Sequence, residues 1–297
     1  MRVGIILNPY SGSGKSNKIL RWLKEKLKGD RYSYFIEILE KGKSIRENLL
    51  RLWEKKVSKI IVLGGDGTLF HIINNIPKNF NIPFSLFPSG SGNDFIKTIF
   101  RNKKDISFFY EVFKRGIIKS TYTGEVITKN KRYFFVNAAG IGFDAKIAKR
   151  ALKIRSLRGL LRYLLSLFIE LRGKISYEME IEDREKVLKG KYLILGLGIG
   201  KYLGGGFYLF PDASPFDNKL SICIIKDMDK INVFKKLPHA IKGTHLSLPE
   251  CIYFKREDIN LKLKEEIFIQ LDGEVFKLKD NEIKAKISDI KFNLLYI

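Results

Sequence analysis

Apolar runs and helical-period stretches alternate through the first ~115 residues. Arg2–Leu7 is a short, nearly continuous apolar run closed by Asn8-Pro9, the pattern of a strand buried on both faces. Ile19, Leu20, Leu23 and Leu27 then recur at helical spacing. Phe35–Leu39 predicts a second strand and Ile45–Trp53 a second helix. Lys59–Leu63 predicts a third strand that runs directly into Gly64-Gly65. Pro83–Phe87 predicts a fourth, followed by a glycine-bearing loop and a helix starting near Asn93. Strand–helix alternation with short connectors implies a doubly wound parallel sheet, whose ligands sit beyond the carboxyl ends of the strands.

The rhythm changes after Lys119. Short β-rich runs follow at Thr121–Thr128, Arg132–Asn137, Ile175–Ile181, Lys191–Leu197, Leu220–Ile225, Leu261–Leu263, Ile267–Leu271 and Val275–Leu278. Turn residues and charges separate them, as in an antiparallel sandwich. Helices are expected at about 143–171 and 231–242. The chain therefore divides into an α/β domain at 1–119 and a β-sandwich domain at 120–297, and the last strand could return to the first domain.

Composition narrows the class. At 297 residues, 45% hydrophobic and 29% charged, the chain can bury a real core, so disorder is excluded. No apolar stretch reaches the ~18 residues of a spanning helix. The longest, Leu160–Ile169, is interrupted by Arg162. The apolar run after Met1-Arg2 is too short for a secretory signal. Cys223 and Cys251 show neither a disulfide framework nor metal spacing, and His71, His239 and His245 are too scattered for a zinc site. These features predict a cytoplasmic protein. Its 55 basic against 32 acidic residues suit an anionic partner: polyphosphate, nucleic acid or anionic lipid.

The chemistry concentrates in three loops. Gly64-Gly65-Asp66-Gly67-Thr68 follows a strand and opens a helix, so its backbone can approach a ligand and the helix start can receive a phosphate. Asp66 is placed to hold Mg²⁺ on that phosphate. Pro88-Ser89-Gly90-Ser91-Gly92-Asn93-Asp94 repeats the logic, with Ser91 as a hydroxyl donor and Asn93 or Asp94 as a helix cap. Asn8-Pro9-Tyr10-Ser11-Gly12-Ser13-Gly14-Lys15-Ser16 resembles a P-loop, but Pro9 stands where the first glycine belongs. Three such loops on one sheet edge predict a nucleoside triphosphate site. In the second half, Leu271-Asp272-Gly273-Glu274 ends a strand, and a carboxylate there could act as a base toward a hydroxyl. An ordinary Asp-Gly hairpin turn is the plainer reading of the same residues.

Taken together these residues resemble the diacylglycerol kinase catalytic family, in particular bacterial lipid kinases. The resemblance spans nearly the whole chain. It rests on Asn8-Pro9 with Ser11-Gly12, Gly64–Thr68, Pro88–Asp94, Gly140-Ile-Gly-Phe-Asp144, Gly204-Gly-Gly206 and Asp272-Gly-Glu274, in that order. It implies an ATP- and Mg²⁺-dependent kinase that phosphorylates a lipid hydroxyl, diacylglycerol first, with the active site between the two halves. By the same resemblance Asn8, Pro9, Ser11, Gly12, Gly64, Gly65, Asp66, Gly67, Thr68, Gly90, Ser91, Gly92 and Asn93 would bind ATP. Asp66 and Asp94 would be the essential acidic residues near the phosphates, and Glu274 would accept the hydroxyl proton. A structural Mg²⁺ of some relatives would fall at Ser214, Asp217 and Lys219.

Four positions depart from the family pattern. Phe70-His71 stands where Asn-Glu usually continues the glycine motif, Ser91 replaces a threonine, and Asn218 replaces a glycine. All three catalytic carboxylates are retained, which favours an active enzyme. Lys153–Phe168 mixes basic residues with leucines at helical spacing. It reads either as a basic amphipathic helix on an anionic membrane or as a core helix with a solvated face. A peripheral position on the inner face of the membrane is the corresponding expectation, and exposed sandwich edges could pair into a homodimer. NAD kinase shares the Gly-Gly-Asp-Gly-Thr loop and the two-domain plan, but the Asn-Pro opening, the Pro88–Asp94 loop and Asp272-Gly-Glu274 favour lipid. A basic nucleotide- or nucleic-acid-binding regulator is the rival from another class. The chain lacks the aromatic–basic motif of RNA-binding sheets, so no nucleic acid partner is expected.

Overall fold

The computed structural model describes residues 1–101, 103–154, 156–157 and 159–297. It divides into two compact units, Met1–Thr121 with Lys291–Ile297, and Tyr122–Ile290.

The first unit runs β1 (Arg2–Leu7), α1 (Lys15–Gly29), β2 (Ser33–Ile38), α2 (Arg46–Glu54), β3 (Lys59–Gly64), α3 (Asp66–Asn75), β4 (Phe84–Pro88), α4 (Asp94–Phe100), α5 (Ile106–Arg115) and β5 (Ile117–Thr121). The C-terminal strand β17 (Phe292–Tyr296) completes it. Among the described residues these strands form a six-stranded sheet in the order β2-β1-β3-β4-β17-β5. All neighbours are parallel except β17 and β5. Val3, Ile5 and Ile6 are fully buried because helices cover both faces of β1, which is why its sequence does not alternate. Ile19, Leu23 and Leu27 form the buried stripe of α1, each contributing about 1.5–3 kcal/mol by leaving water. The stacked rings of Phe84 and Phe292, 4.8 Å apart, fix β17 beside β4.

The second unit runs β6 (Gly124–Ile127), β7 (Arg132–Phe135), β8 (Ala138–Gly142), α6 (Phe143–Ala151), α7 (Gly159–Glu170), β9 (Tyr177–Glu182), β10 (Val187–Gly198), β11 (Leu220–Lys226) and α8 (Lys230–Lys242). It continues through β12 (Cys251–Arg256), β13 (Asp258–Leu263), β14 (Ile267–Leu271), β15 (Glu274–Leu278) and β16 (Glu282–Ile287). Its described strands make one antiparallel, sandwich-like sheet of eleven strands.

Several expectations change. The run read as Thr121–Thr128 is two strands. β5 ends at Thr121 in the first sheet, and β6 begins at Gly124 in the second. Ile117 and Ile118 start a strand that the composition hides, because an edge position leaves both exposed. β8, β12 and β16 also escape a search for apolar runs. Ala138–Gly142 is glycine-rich, and in β16 only Ile283 and Ala285 are buried, between charged residues. The helix read over Lys153–Phe168 starts at Gly159 instead, and Arg155 and Arg158 lie outside the described residues. α7 is not a basic amphipathic helix. Tyr163, Ser166 and Leu167 face inward, while Leu161, Leu165 and Phe168 form an exposed stripe at helical spacing. Among the described residues no helix is long and apolar enough to cross a membrane.

Candidate active site

The ends of β1, β3 and β4 are in register, Leu7 opposite Leu63 and Gly64 opposite Pro88. Strand order reverses direction beside β1, so the loops after β1 and β3 flank a topological switch point. The loops grip one another. Asn8 donates its backbone N–H to Leu63 O at 3.0 Å and its side-chain Nδ2 to Thr68 Oγ1 at 2.9 Å. Ser11 donates back to Asn8 O, and Pro9 and Ser11 are partly covered.

The glycines act differently from the sequence reading. A Cβ on Gly65 would sit 2.9 Å from the Gly90 Cα, and one on Gly64 would strike the Thr68 side chain at 2.5 Å. At Gly12, φ is +58° and a Cβ would lie 2.0 Å from Ser89 O. These glycines let loop pack on loop, not only loop on ligand. Gly14 differs: φ is +89° and a Cβ there would meet open space. Gly67 lies in the first turn of α3, and Ser91 is exposed before Gly92. Asn93, in the left-handed region, ties its own loop by accepting from Gly90 N and donating to Gly90 O, each at 2.9 Å.

Asp66 opens α3, and its carboxylate caps α4, accepting from Asp94 N at 3.1 Å and Phe95 N at 3.2 Å. Burial, with the adjacent charge of Asp94, pushes Asp66 up to about 6, against the pull of those two amides. Asp94 is itself buried and pairs with Lys97 Nζ at 2.9 Å. A half-buried and a buried carboxylate side by side suit a divalent cation, since a carboxylate offers roughly four acceptor positions and the amides use two of Asp66's. Two features went unseen in the sequence. Partial desolvation and the charge of Lys104 hold the ammonium of Lys15, exposed at the start of α1, below the usual lysine range. The hydroxyls of Ser16 and Ser89 are buried without hydrogen-bond partners among the described residues. Of the departures, Phe70 is buried in the core and His71 is exposed on α3.

In the second unit, Asp272 and Gly273 form the two-residue turn between β14 and β15, with φ of +50° and +93°. Asp272 is more than a turn residue. Its buried carboxylate accepts from Val136 N, Asn137 N and Ala138 N at 2.8–2.9 Å. Glu274 leaves this turn as the first, half-buried residue of β15. Gln270 accepts from Gly273 N at 2.9 Å and donates to Asp144 Oδ2 at 3.1 Å. Asp144 is buried, which pushes it up to about 7. A Cβ on Gly140 would lie 1.7 Å from Asp144 Oδ2, which accounts for that motif glycine. The roles of Asp272 and Gln270 are invisible in the sequence because they depend on which strands become neighbours.

Asp144 also borders a cavity of about 90 Å³ whose walls are apolar apart from Asp144, Lys236 and His245. Phe143, Ile147 and Leu167 line it together with Val233 and Leu237 of α8. The Gly204–Gly206 turn packs on the start of α7, where a Cβ on Gly204 would meet the Tyr163 ring at 2.9 Å.

Ser214, Asp217 and Lys219 do not fit a resident metal. Lys255 Nζ lies 3.3 Å from Asp217 Oδ2, 2.8 Å from Asp212 O and 3.6 Å from Asp212 Oδ2. An ammonium already supplies the cation there, and Ser214 O accepts from Asp217 N within its own turn.

Residues 2–126 match the Diacylglycerol kinase catalytic domain family, and residues 137–285 match the YegS C-terminal NAD kinase beta sandwich-like domain. An α/β unit followed by this sandwich defines a kinase-type enzyme. The chain belongs to the diacylglycerol kinase catalytic family. A diacylglycerol kinase of Staphylococcus epidermidis is 27% identical over 274 residues, 92% of this chain and 85% of that one. A diacylglycerol kinase of Bacillus subtilis is 26% identical over 275 residues, 92% and 89% of the two chains. The crystal structure of a diacylglycerol kinase from Bacillus anthracis shares the fold, with a TM-score of 0.70 over 100% of this chain and 97% of that one at 20% identity.

Proposed function

We propose that this lipid kinase is ATP- and Mg²⁺-dependent and phosphorylates a lipid hydroxyl, with diacylglycerol as acceptor and phosphatidic acid as product. The observation that carries the choice of acceptor is the apolar cavity of the second unit, with the Asp144 carboxylate in its wall. Such walls suit an acyl chain and would leave the polar groups of NAD unpaired.

In this reading the loops after β1, β3 and β4 hold the triphosphate. Asn8, Pro9, Ser11, Gly12, Gly64–Thr68 and Gly90–Asn93 provide the loop backbone and hydroxyls, and Lys15 adds charge. Asp66 and Asp94 would hold Mg²⁺, which when bound neutralises phosphate oxygens. Glu274 orients the acceptor hydroxyl and takes its proton. The turn that carries Glu274 is fixed by Asp272 and Gln270, so its position does not depend on a mobile loop.

Access to a bilayer would come from the exposed apolar stripe of α7 and the exposed Ile231 and Phe234 of α8. Phe168 and Phe234 touch, their ring centroids 5.6 Å apart, so the two helices present one surface. Lys230 and Lys235 flank it and would favour anionic lipid by about 1 kcal/mol each. In this reading the enzyme sits peripherally on the inner face of the membrane.

The test is incubation with ATP, Mg²⁺ and a mixed panel of diacylglycerol, sphingoid base, polyprenol and NAD, with products identified by mass. Phosphatidic acid is expected to dominate. Phosphorylation of NAD alone, or no transfer at all, would overturn the reading.

A further inference from the structure

Two cysteines and a histidine without any sequence spacing to relate them meet in the second unit. Cys223 sits in mid-β11 opposite Tyr253, and Cys251 opens β12 opposite Ile225, so the thiols are diagonal neighbours on one face. His245 starts the short helical turn that follows α8. Its ring and both sulfurs present ligand atoms that all lie within 4.8 Å of one another. Cys223 and His245 are buried, and Cys251 is partly so.

Two independent details point to a ligand. His245 Nε2 lies 3.1 Å from Leu209 O. Its Nδ1 is buried and makes no hydrogen bond of normal geometry among the described residues, with the His239 carbonyl as the backbone group nearest the ring besides Leu209 O. A backbone carbonyl on one ring nitrogen is the usual support for a histidine that coordinates metal through the other. The sulfurs are 3.9 Å apart. Two thiolates on a tetrahedral zinc at about 2.3 Å stand roughly 3.8 Å from each other. A disulfide would require about 2.05 Å.

We propose that Cys223, Cys251 and His245 form a structural site for zinc, staying outside the phosphoryl-transfer chemistry. Two S–H protons pass to solvent as the ion binds, the thiolates balance its charge, and nothing is oxidised or reduced. A water completes the fourth position. The ion would staple the segment leaving α8 to the outer strand pair β11–β12. Because His245 also lines the apolar cavity, the staple would hold one wall of that cavity in place.

The full-length chain, stripped with chelator under reductant and then dialysed, is titrated with Zn²⁺ and separately with Co²⁺. One equivalent per chain is expected, with zinc raising the thermal midpoint. Cobalt should give thiolate charge-transfer bands and the intense ligand-field absorption of a tetrahedral site. Cys251→Ser should lose both while its circular dichroism stays native. On the wild type, zinc should shield both thiols from alkylation, a readout that needs no variant. Absence of metal uptake, uptake unchanged in both Cys251→Ser and His245→Gln, or a Cys223–Cys251 disulfide in chain isolated anaerobically without reductant would each overturn the proposal.

Discussion

Gln270 donates its side-chain amide to Asp144 Oδ2 at 3.1 Å, joining the carboxylate in the cavity wall to the turn that carries Glu274. The link runs through the single glutamine of the chain. Its two ends have different needs: Asp144 is an acid whose charged form burial disfavours, and Gly273 N is a turn amide. One planar amide satisfies both.

Gln270→Leu keeps the approximate volume and removes both bonds. Stability should fall by about 1–3 kcal/mol, the cost of leaving buried polar groups unpaired. Urea unfolding measures it. Turnover should fall as well, since the Glu274 turn loses a tether, while KM for ATP stays unchanged.

Asp144 makes stability depend on pH. Its folded pKa, about 7, lies above the value of 3.8 expected for an unfolded aspartate, so the native state holds the proton more tightly. Its contribution to stability is then fully present below about pH 4, falls as pH rises toward 7, and is gone above it. Asp144→Asn should flatten that slope and raise the thermal midpoint at pH 8. Calorimetric scans between pH 4 and 8 decide the matter. A slope unchanged in Asp144→Asn would show that other groups set it.

Asp272→Ala removes the acceptor of three buried amides. A loss of roughly 3 kcal/mol or more is expected, with Asp272→Asn in between. Denaturant midpoints of the two variants rank them. Equal stability of Asp272→Ala and wild type would mean that water replaces the carboxylate.

Glu274→Gln should cut turnover at least ~10²-fold with the thermal midpoint unmoved, the scale of a positioned proton acceptor. Asp66→Asn should match that loss and also weaken nucleotide binding, because one of its oxygens no longer caps α4. Steady-state kinetics with titration calorimetry of ATP–Mg²⁺ separate the two variants. Near-normal turnover of Glu274→Gln would remove its assigned role.

The parallel sheet was readable because β1, β3 and β4 are buried on both faces, and a short continuous apolar run that stops at a glycine or proline turn fits few elements besides a buried strand. The loops were readable because a glycine-rich turn between strand and helix is local chemistry. The strand β16 was not, since burial of Ile283 and Ala285 alone leaves a mostly charged segment. The α7 stripe of Leu161, Leu165 and Phe168 was obscured by a different cause: a helix apolar on all sides does not say which side is covered.

By itself the sequence determined strands β1 to β4 of the first sheet, the three loops at their ends and the order of motifs that marks the family. Each of these depends on residues within a few positions of one another. Tertiary structure alone decided that Gly65 backs onto Gly90, that Asp66 caps a helix 28 residues away, and that Asp144, Gln270 and Gly273 share one network. It likewise brought Cys223, His245 and Cys251 together. Strand order sets which distant segments touch, and strand order follows from burying the whole apolar surface at once, a condition that no short window of residues contains.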